Sequence, residues 1–326
     1  MRGVFLHGGL LLAALVASVL TWTGSRPLVV QSERTVVWDR DTTEITAIEY
    51  RSESHDIDIT RRTFETGEYL WGVESRRGGP TDAVESRLEF PAGAPGADLV
   101  EGLARLGVVR DLGPLDEDNA PRFGLSEPGA TLTVVFGGER RELAIGNETP
   151  GGADRYGDDR TAGRAYVIPG GLVSPLETGV GALRERRIHY FGAADIMSVR
   201  VEVGERSRLM VRSGEDQLGG ATWASSDTPD RPDQTFANFM ERIGQLAIEG
   251  FRNRTDLPLM ERRLRMEYFD DDGESIGFTE LHRSVVGPGS GPAEVEFFVL
   301  SERMPVPADA IRSLAERVDA DLEEIF

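Results

Sequence analysis

Cysteine is missing from all 326 residues. That removes disulfides, thiolate metal sites, iron–sulfur clusters, thiol catalysis and lipid attachment through a cysteine. Lysine is missing too, so all 36 positions counted as Lys or Arg are Arg. Without a side-chain amine there is no Schiff-base chemistry and no lysine for a phosphate-cradling loop. Histidine is scarce: His7, His55, His189 and His282 are the only four, and none forms an H-x-x-H or H-E-x-x-H arrangement. No local zinc motif is therefore written. The run Gly287–Pro292 (GPGSGP) does not make a nucleophile elbow, because Pro288 stands where glycine is needed.

Positive charge is a further deficit. The formal net charge is −20, which repels phosphate backbones, so nucleic acid is not an expected partner. The apolar share, 39%, suffices for a packed core. One long run free of Asp, Glu and Arg stands out, Val4–Thr23. At about 1.5 Å per residue it covers roughly 30 Å of hydrocarbon. Arg2 precedes it, and Trp22 falls where an interfacial aromatic belongs. It reads as an uncleaved N-terminal transmembrane helix. The competing reading is a cleaved signal peptide, for which no clean A-x-A site follows Leu20. Either sends the body out of the cytoplasm. The expected location is a bacterial inner membrane, crossed once, with the body in the periplasm.

The rest of the chain reads as one unit written twice, Glu44–Ile188 beside Asp195–Ile325. Each copy opens with strand, turn, strand. Ile57 and Ile59 alternate in the first; Val199, Val201 and Val203 lead to a turn at Gly204-Glu205 and then Leu209 and Val211 in the second. A tryptophan strand follows around Trp71 and around Trp223. Next come helices, Ala97–Leu106 and Pro232–Ile248, the latter with Asp230 or Asp233 as candidate cap. Hairpins turn at Gly137-Gly138 and at Asp272-Gly273. A strand around Tyr166 or Phe298 follows, then a closing helix, Leu172–Arg186 or Ala308–Val318. The predicted fold is α+β: an N-terminal transmembrane helix, then two tandem structurally similar units of antiparallel sheet plus helices. The predicted segments are 1–26, 27–190 and 191–326.

Few residues offer chemistry. Asp270–Glu274 (DDDGE) has the acids of a calcium loop but lies between strand patterns, so it reads as a hairpin turn. Asp154–Asp159 (DRYGDD) reads as a solvated acidic loop. The densest basic stretch, Leu183–Ile188, holds Arg184, Arg186 and Arg187. Their guanidinium forks suit carboxylates and phosphates, or else complement a helix C-terminus. Trp71 and Trp223 are candidate stacking platforms in a cleft between the copies, or else core residues. These five are the candidate partner or ligand contacts. No catalytic or metal residue is assigned, and no cofactor is expected.

One resemblance adds to this. Arg122-Phe123-Gly124-Leu125-Ser126-Glu127-Pro128, then Leu132–Phe136, then Leu143–Gly152 (LAIGNETPGG), Tyr156, Ala165-Tyr166-Val167 and Leu183-Arg184 follow the pattern of a bacterial family. That pattern is an aromatic-Gly-Leu-x-x-Pro turn, a strand pair ending in Ile-Gly, a Gly-rich turn and a "Leu-Arg" helix end. The chain resembles domain-of-unknown-function family 4340, with Phe123 where tyrosine is commoner. The resemblance implies a single membrane helix. It also implies companionship with ABC-type export systems whose auxiliary subunits resemble gliding-motility proteins, and it carries over no catalytic residue. The expected function is therefore a non-enzymatic, membrane-anchored extracytoplasmic accessory subunit of an ABC-type transport complex. Its expected partners are the inner membrane, an ABC-type permease and auxiliary membrane proteins. The alternatives are a periplasmic glycan- or small-ligand-binding module and a hydrolase with a scattered acid/base site.

Overall fold

A computed structural model describes residues 34–78, 84–116, 118–215, 219–284 and 295–326. The apolar run Val4–Thr23, the segment 1–26 and the GPGSGP stretch lie outside the described residues. Among those described, no helix is long and apolar enough to cross a membrane. Val36–Phe326 forms one compact unit.

Alternating apolar residues build two large antiparallel sheets. The first draws on β1 (Ile45–Ser52), β2 (His55–Phe64), β3 (Gly67–Arg77) and β4 (Val84–Pro91). After helix α1 (Gly93–Ala104) come β5 (Arg110–Pro114), β6 (Ala130–Phe136), β7 (Glu139–Glu148), β8 (Asp154–Asp159) and β9 (Arg164–Pro169). Helices α2 (Gly170–Thr178) and α3 (Val180–Leu183) close it. Its order is β4-β3-β2-β1-β6-β7-β8-β9-β5.

The second sheet uses β10 (Ser198–Val203), β11 (Arg206–Glu215) and β12 (Ala221–Ser225), then α4 (Gln234–Gly244). It continues with β13 (Ile248–Phe251), β14 (Met260–Phe269), β15 (Ser275–Ser284), β16 (Phe297–Ser301) and β17 (Met304–Ala310), and α5 (Arg312–Asp321) follows. Its order is β12-β11-β10-β14-β15-β16-β17-β13. From β3 and β12 onward the two orders match strand for strand: an opening three-strand meander, a four-strand meander, and at the far edge the strand that follows the helix. β4 has no counterpart.

The turns form where sequence chemistry asked for them. Gly137 and Gly138 take φ of +54° and +107°, and Gly204 and Gly273 take +60° and +77°, values that favour glycine. Asp233 caps α4, its carboxylate accepting from Phe236 N at 2.9 Å. Lacking lysine, the sheet faces are laced by arginine forks. Arg140 meets both oxygens of Glu49 across strands at 3.1 and 2.9 Å, and Arg155 meets both oxygens of Glu177 at 2.9 Å.

Several expectations need correcting. Asp154–Asp159 is a paired strand, not a solvated loop. Its acidity is absorbed at the strand end, where buried Asp159 accepts from Trp38 Nε1 at 2.9 Å and from Thr161 and Ala162 N at 3.0 Å. The helix expected over Ala308–Val318 begins only at Arg312, because Met304, Val306, Ala308 and Ala310 alternate inward along β17. The helix expected over Leu172–Arg186 breaks at Gly179, whose φ is +76°. The helices expected over Ala97–Leu106 and Pro232–Ile248 run instead over Gly93–Ala104 and Gln234–Gly244. By strand order, the Phe298 strand matches β8, and the Tyr166 strand matches β17.

The two cores touch. One gathers β1–β3, α1 and α2 and also takes in Phe251, Met304, Val306 and Ala308 of the second sheet. The other centres on β10, β14 and α4. Ile188 and Ile248 pack against both.

Candidate functional site

The junction between the sheets begins with a carboxylate. Glu185, 2% exposed, lies in the basic stretch after α3. Its Oε1 accepts from the backbone N–H of Arg186 at 2.8 Å and of Arg187 at 2.9 Å. Its Oε2 accepts from Ala94 N at 3.2 Å and from Arg303 Nε at 2.9 Å, with a second contact from the Arg303 Nη2. Arg303 belongs to the β16–β17 turn, so this pair ties the N-terminus of α1 to the second sheet. Burial works to raise the Glu185 pKa, but the Arg187 N–H, the Arg303 guanidinium and the Arg186 N–H outweigh it, and the net shift is downward. The guanidinium of Arg303 lies 4.1 Å from the Tyr190 ring centroid.

Immediately downstream the chain meets a pocket of about 640 Å³ between α4 and the second sheet. Its exposed rim includes Arg186, Arg187, Gln234, Asn238 and Glu241; its buried lining includes Ile196, Trp223, Ile243, Leu246, Tyr268 and Thr279. His189 also lines it, with Phe191 stacked on the imidazole at 4.6 Å between centroids. Glu302 lies 3.1 Å from His189 Nδ1 through both oxygens. That carboxylate also accepts from Tyr190 N at 3.1 Å and Phe278 N at 3.2 Å. A carboxylate on Nδ1 orients the ring and favours a proton on that nitrogen. Nε2 is 3.0 Å from Thr279 Oγ1, which is 3.0 Å from the Tyr268 hydroxyl. Burial pushes the Tyr268 phenol above its ordinary value, with the Thr279 bond opposing. Gly277 makes room for the arrangement: a Cβ there would stand 2.5 Å from Glu302 Oε2 and 2.6 Å from Phe191 Cε1.

Of the five sequence-derived contacts, this pocket unites Arg186, Arg187 and Trp223. Trp71 lies elsewhere, lining a second hollow of about 520 Å³ with Arg62, Glu89 and Arg252. Among the described residues the two tryptophans line separate hollows, and each is 3% exposed and packed into its own core. Trp71 Nε1 donates to Glu89 at 3.1 Å. Arg184 does not line the pocket, and its Nε is buried without a hydrogen-bond partner among the described residues. The residues that sequence reasoning left out are Glu185, Arg303, Tyr268, Thr279 and Glu302. Nothing local marks them, since Glu302 is 113 positions from His189. Among the described residues, no group of three or more His, Asp or Glu is placed to hold a metal ion.

The motif residues of the opening resemblance meet away from this pocket. Gly124, at φ +69°, ends a short helical turn over Ala120–Phe123. A Cβ on Gly146 would stand 2.3 Å from Phe123 O, and the Phe123 and Tyr156 rings lie 4.6 Å apart. Leu125, Ala144 and Ala165 form a small core beneath them. The motif thus clamps a turn onto β7–β9. A family model described as "Domain of unknown function (DUF4340)" matches residues 97–261, from within α1 to the start of β14. The matched block runs across both sheets. No curated protein and no solved structure matches the chain.

Proposed function

The chain belongs to the domain-of-unknown-function family 4340, and from that premise we propose that it is a non-enzymatic, membrane-anchored extracytoplasmic accessory subunit of an ABC-type transport complex. In this reading the Val4–Thr23 run is a transmembrane anchor in a bacterial inner membrane. The body is a tandem pair of like α+β units in the periplasm, a duplication supported by the matched strand orders. An ABC-type permease and its auxiliary membrane proteins are the partners.

One observation supports the non-enzymatic part. At the Glu302–His189 pair, the hydroxyl facing the imidazole is that of Thr279, 1% exposed and already engaged by Tyr268. A nucleophile must be reachable by substrate, and Thr279, a strand residue in the pocket wall, presents 1% of its surface. The pocket therefore favours holding a ligand over making or breaking bonds.

The test is crosslinking and pulldown from native membranes with carboxylate-reactive reagents, since side-chain amines are absent. Permease-like membrane proteins recovered with the full chain are the expected result; recovery of the chain alone would overturn the assignment. A second reading, a hydrolase, is favoured by the Glu302–His189–Thr279 chain of contacts. Turnover of p-nitrophenyl acetate that disappears in His189→Ala would establish it in place of the first.

A further inference from the structure

We infer that the pocket beneath α4 binds a single-chain fatty carboxylate, with its tail on the Trp223 floor and its head at Arg186 and Arg187. The inference rests on the pocket being a binding rather than a catalytic site, and not on the transport assignment. A volume of about 640 Å³ lies within the range of small-ligand sites, roughly 300–1,000 Å³. The deep surface is apolar: Ile196, Trp223, Ile243 and Leu246 are buried there, and Phe191 and Met240 add an adaptable wall. Its polar groups make no demand on a ligand, because His189, Thr279 and Tyr268 bond to one another and to Glu302.

Polar demand is confined to the rim. Most arginines of this chain sit against a carboxylate, yet neither Arg186 nor Arg187 has an ion-pair partner among the described residues. Arg186 reaches only a backbone oxygen, that of Gly181. Glu241 is the one acid among the described lining residues, against two guanidiniums. The two backbone N–H groups bonded to Glu185 fix where these side chains start. An apolar hollow edged by two adjacent unpaired cations, on a body of net charge −20, selects an amphiphile with an anionic head. An alcohol of the same tail length lacks the charge, and a quaternary ammonium carries the wrong one.

The experiment uses the full chain in phosphatidylcholine nanodiscs, photolabelled with a diazirine-bearing dodecanoate and mapped by peptide mass spectrometry. Adducts are expected on Ile188–Ile196 and Gln234–Ala247, competed by unlabelled dodecanoate but not by dodecanol or dodecyltrimethylammonium. Labelling should fall at least about tenfold in the double variant Arg186→Gln/Arg187→Gln, equivalent to about 1.4 kcal/mol. Both residues are exposed, so that variant keeps the core intact, and circular dichroism verifies it. Ala237→Trp, which fills the pocket, should abolish labelling. Diffuse adducts, equal competition by dodecanol, or labelling unchanged in the arginine variant would overturn the inference. Success with no permease present would leave the transport assignment to its own pulldown test.

Discussion

The helix α1 beside the first sheet and α4 beside the second hold the same place in matching strand orders, but they meet their surroundings differently. A Cβ added at Gly102 on α1 would stand 2.3 Å from Leu172 Cδ2 of α2. A Cβ added at Gly244 on α4 would meet nothing within 4 Å, and Gly244 lines the pocket. The α1 helix is covered at Gly102 by α2, whereas α4 leaves a hollow at Gly244. Strand order follows from alternation and turn chemistry, which the two sheets share. A cavity follows from side-chain volumes along one seam, and these differ without disturbing the order.

The contrast can be broken from its strongest point downward. Glu185→Ala removes the tie between α1 and the second sheet and strands Arg303 in the interior. A loss of about 3–5 kcal/mol is expected, read as a lowered denaturant midpoint. An unmoved midpoint would mean that Ile188 and Ile248 hold the junction without the ion pair. Next, Gly102→Leu should overfill the closed seam and cost about 1–3 kcal/mol; a stability equal to wild type would show that α1 has slack of its own.

The acid response should sharpen the comparison. His282 lowers the Glu280 carboxyl most; burial opposes, Arg265 adds to the lowering, and the pKa falls to about 2. A carboxyl depressed on folding contributes stability that is complete above its unfolded range and is lost as pH falls through the folded value. For Glu280 that loss runs from about pH 4.5 toward 2, on the second sheet. Urea midpoints across this interval should fall less steeply in Glu280→Gln than in wild type; parallel curves would remove Glu280 from the account. Smallest is Gly244→Ala. The site is helical and open, so a gain of up to about 1 kcal/mol is expected. A loss there would show that α4 presses on the sheet after all.

Much of the fold was legible residue by residue. Val199, Val201 and Val203 announced a strand, Gly137-Gly138 and Gly273 announced hairpins, and Asp233, one of two candidate caps, proved to start α4. Two strands hid. β8 reads as an acidic loop because the partners of Asp159 are a distant tryptophan and two backbone N–H groups. β17 is disguised by Pro305 and Pro307, which occupy its half-exposed positions while the alternate residues pack inward. The site was legible in part. The basic stretch and Trp223 drew attention by composition, whereas Glu185 was concealed among arginines it turns out to organise. Thr279, Tyr268 and Glu302 carry no local mark at all.

Composition and local pattern alone determined what this chain lacks, where its strands alternate and where glycine must turn them. Those properties depend on near neighbours, on backbone sterics and on the inventory of functional groups. Only the tertiary structure decided which tryptophan meets the arginines, which carboxylate is buried to tie the sheets, and which helix leaves a hollow. Each depends on desolvation and fit between residues far apart in the chain, 118 positions for Glu185 and Arg303, where no short-range rule reaches.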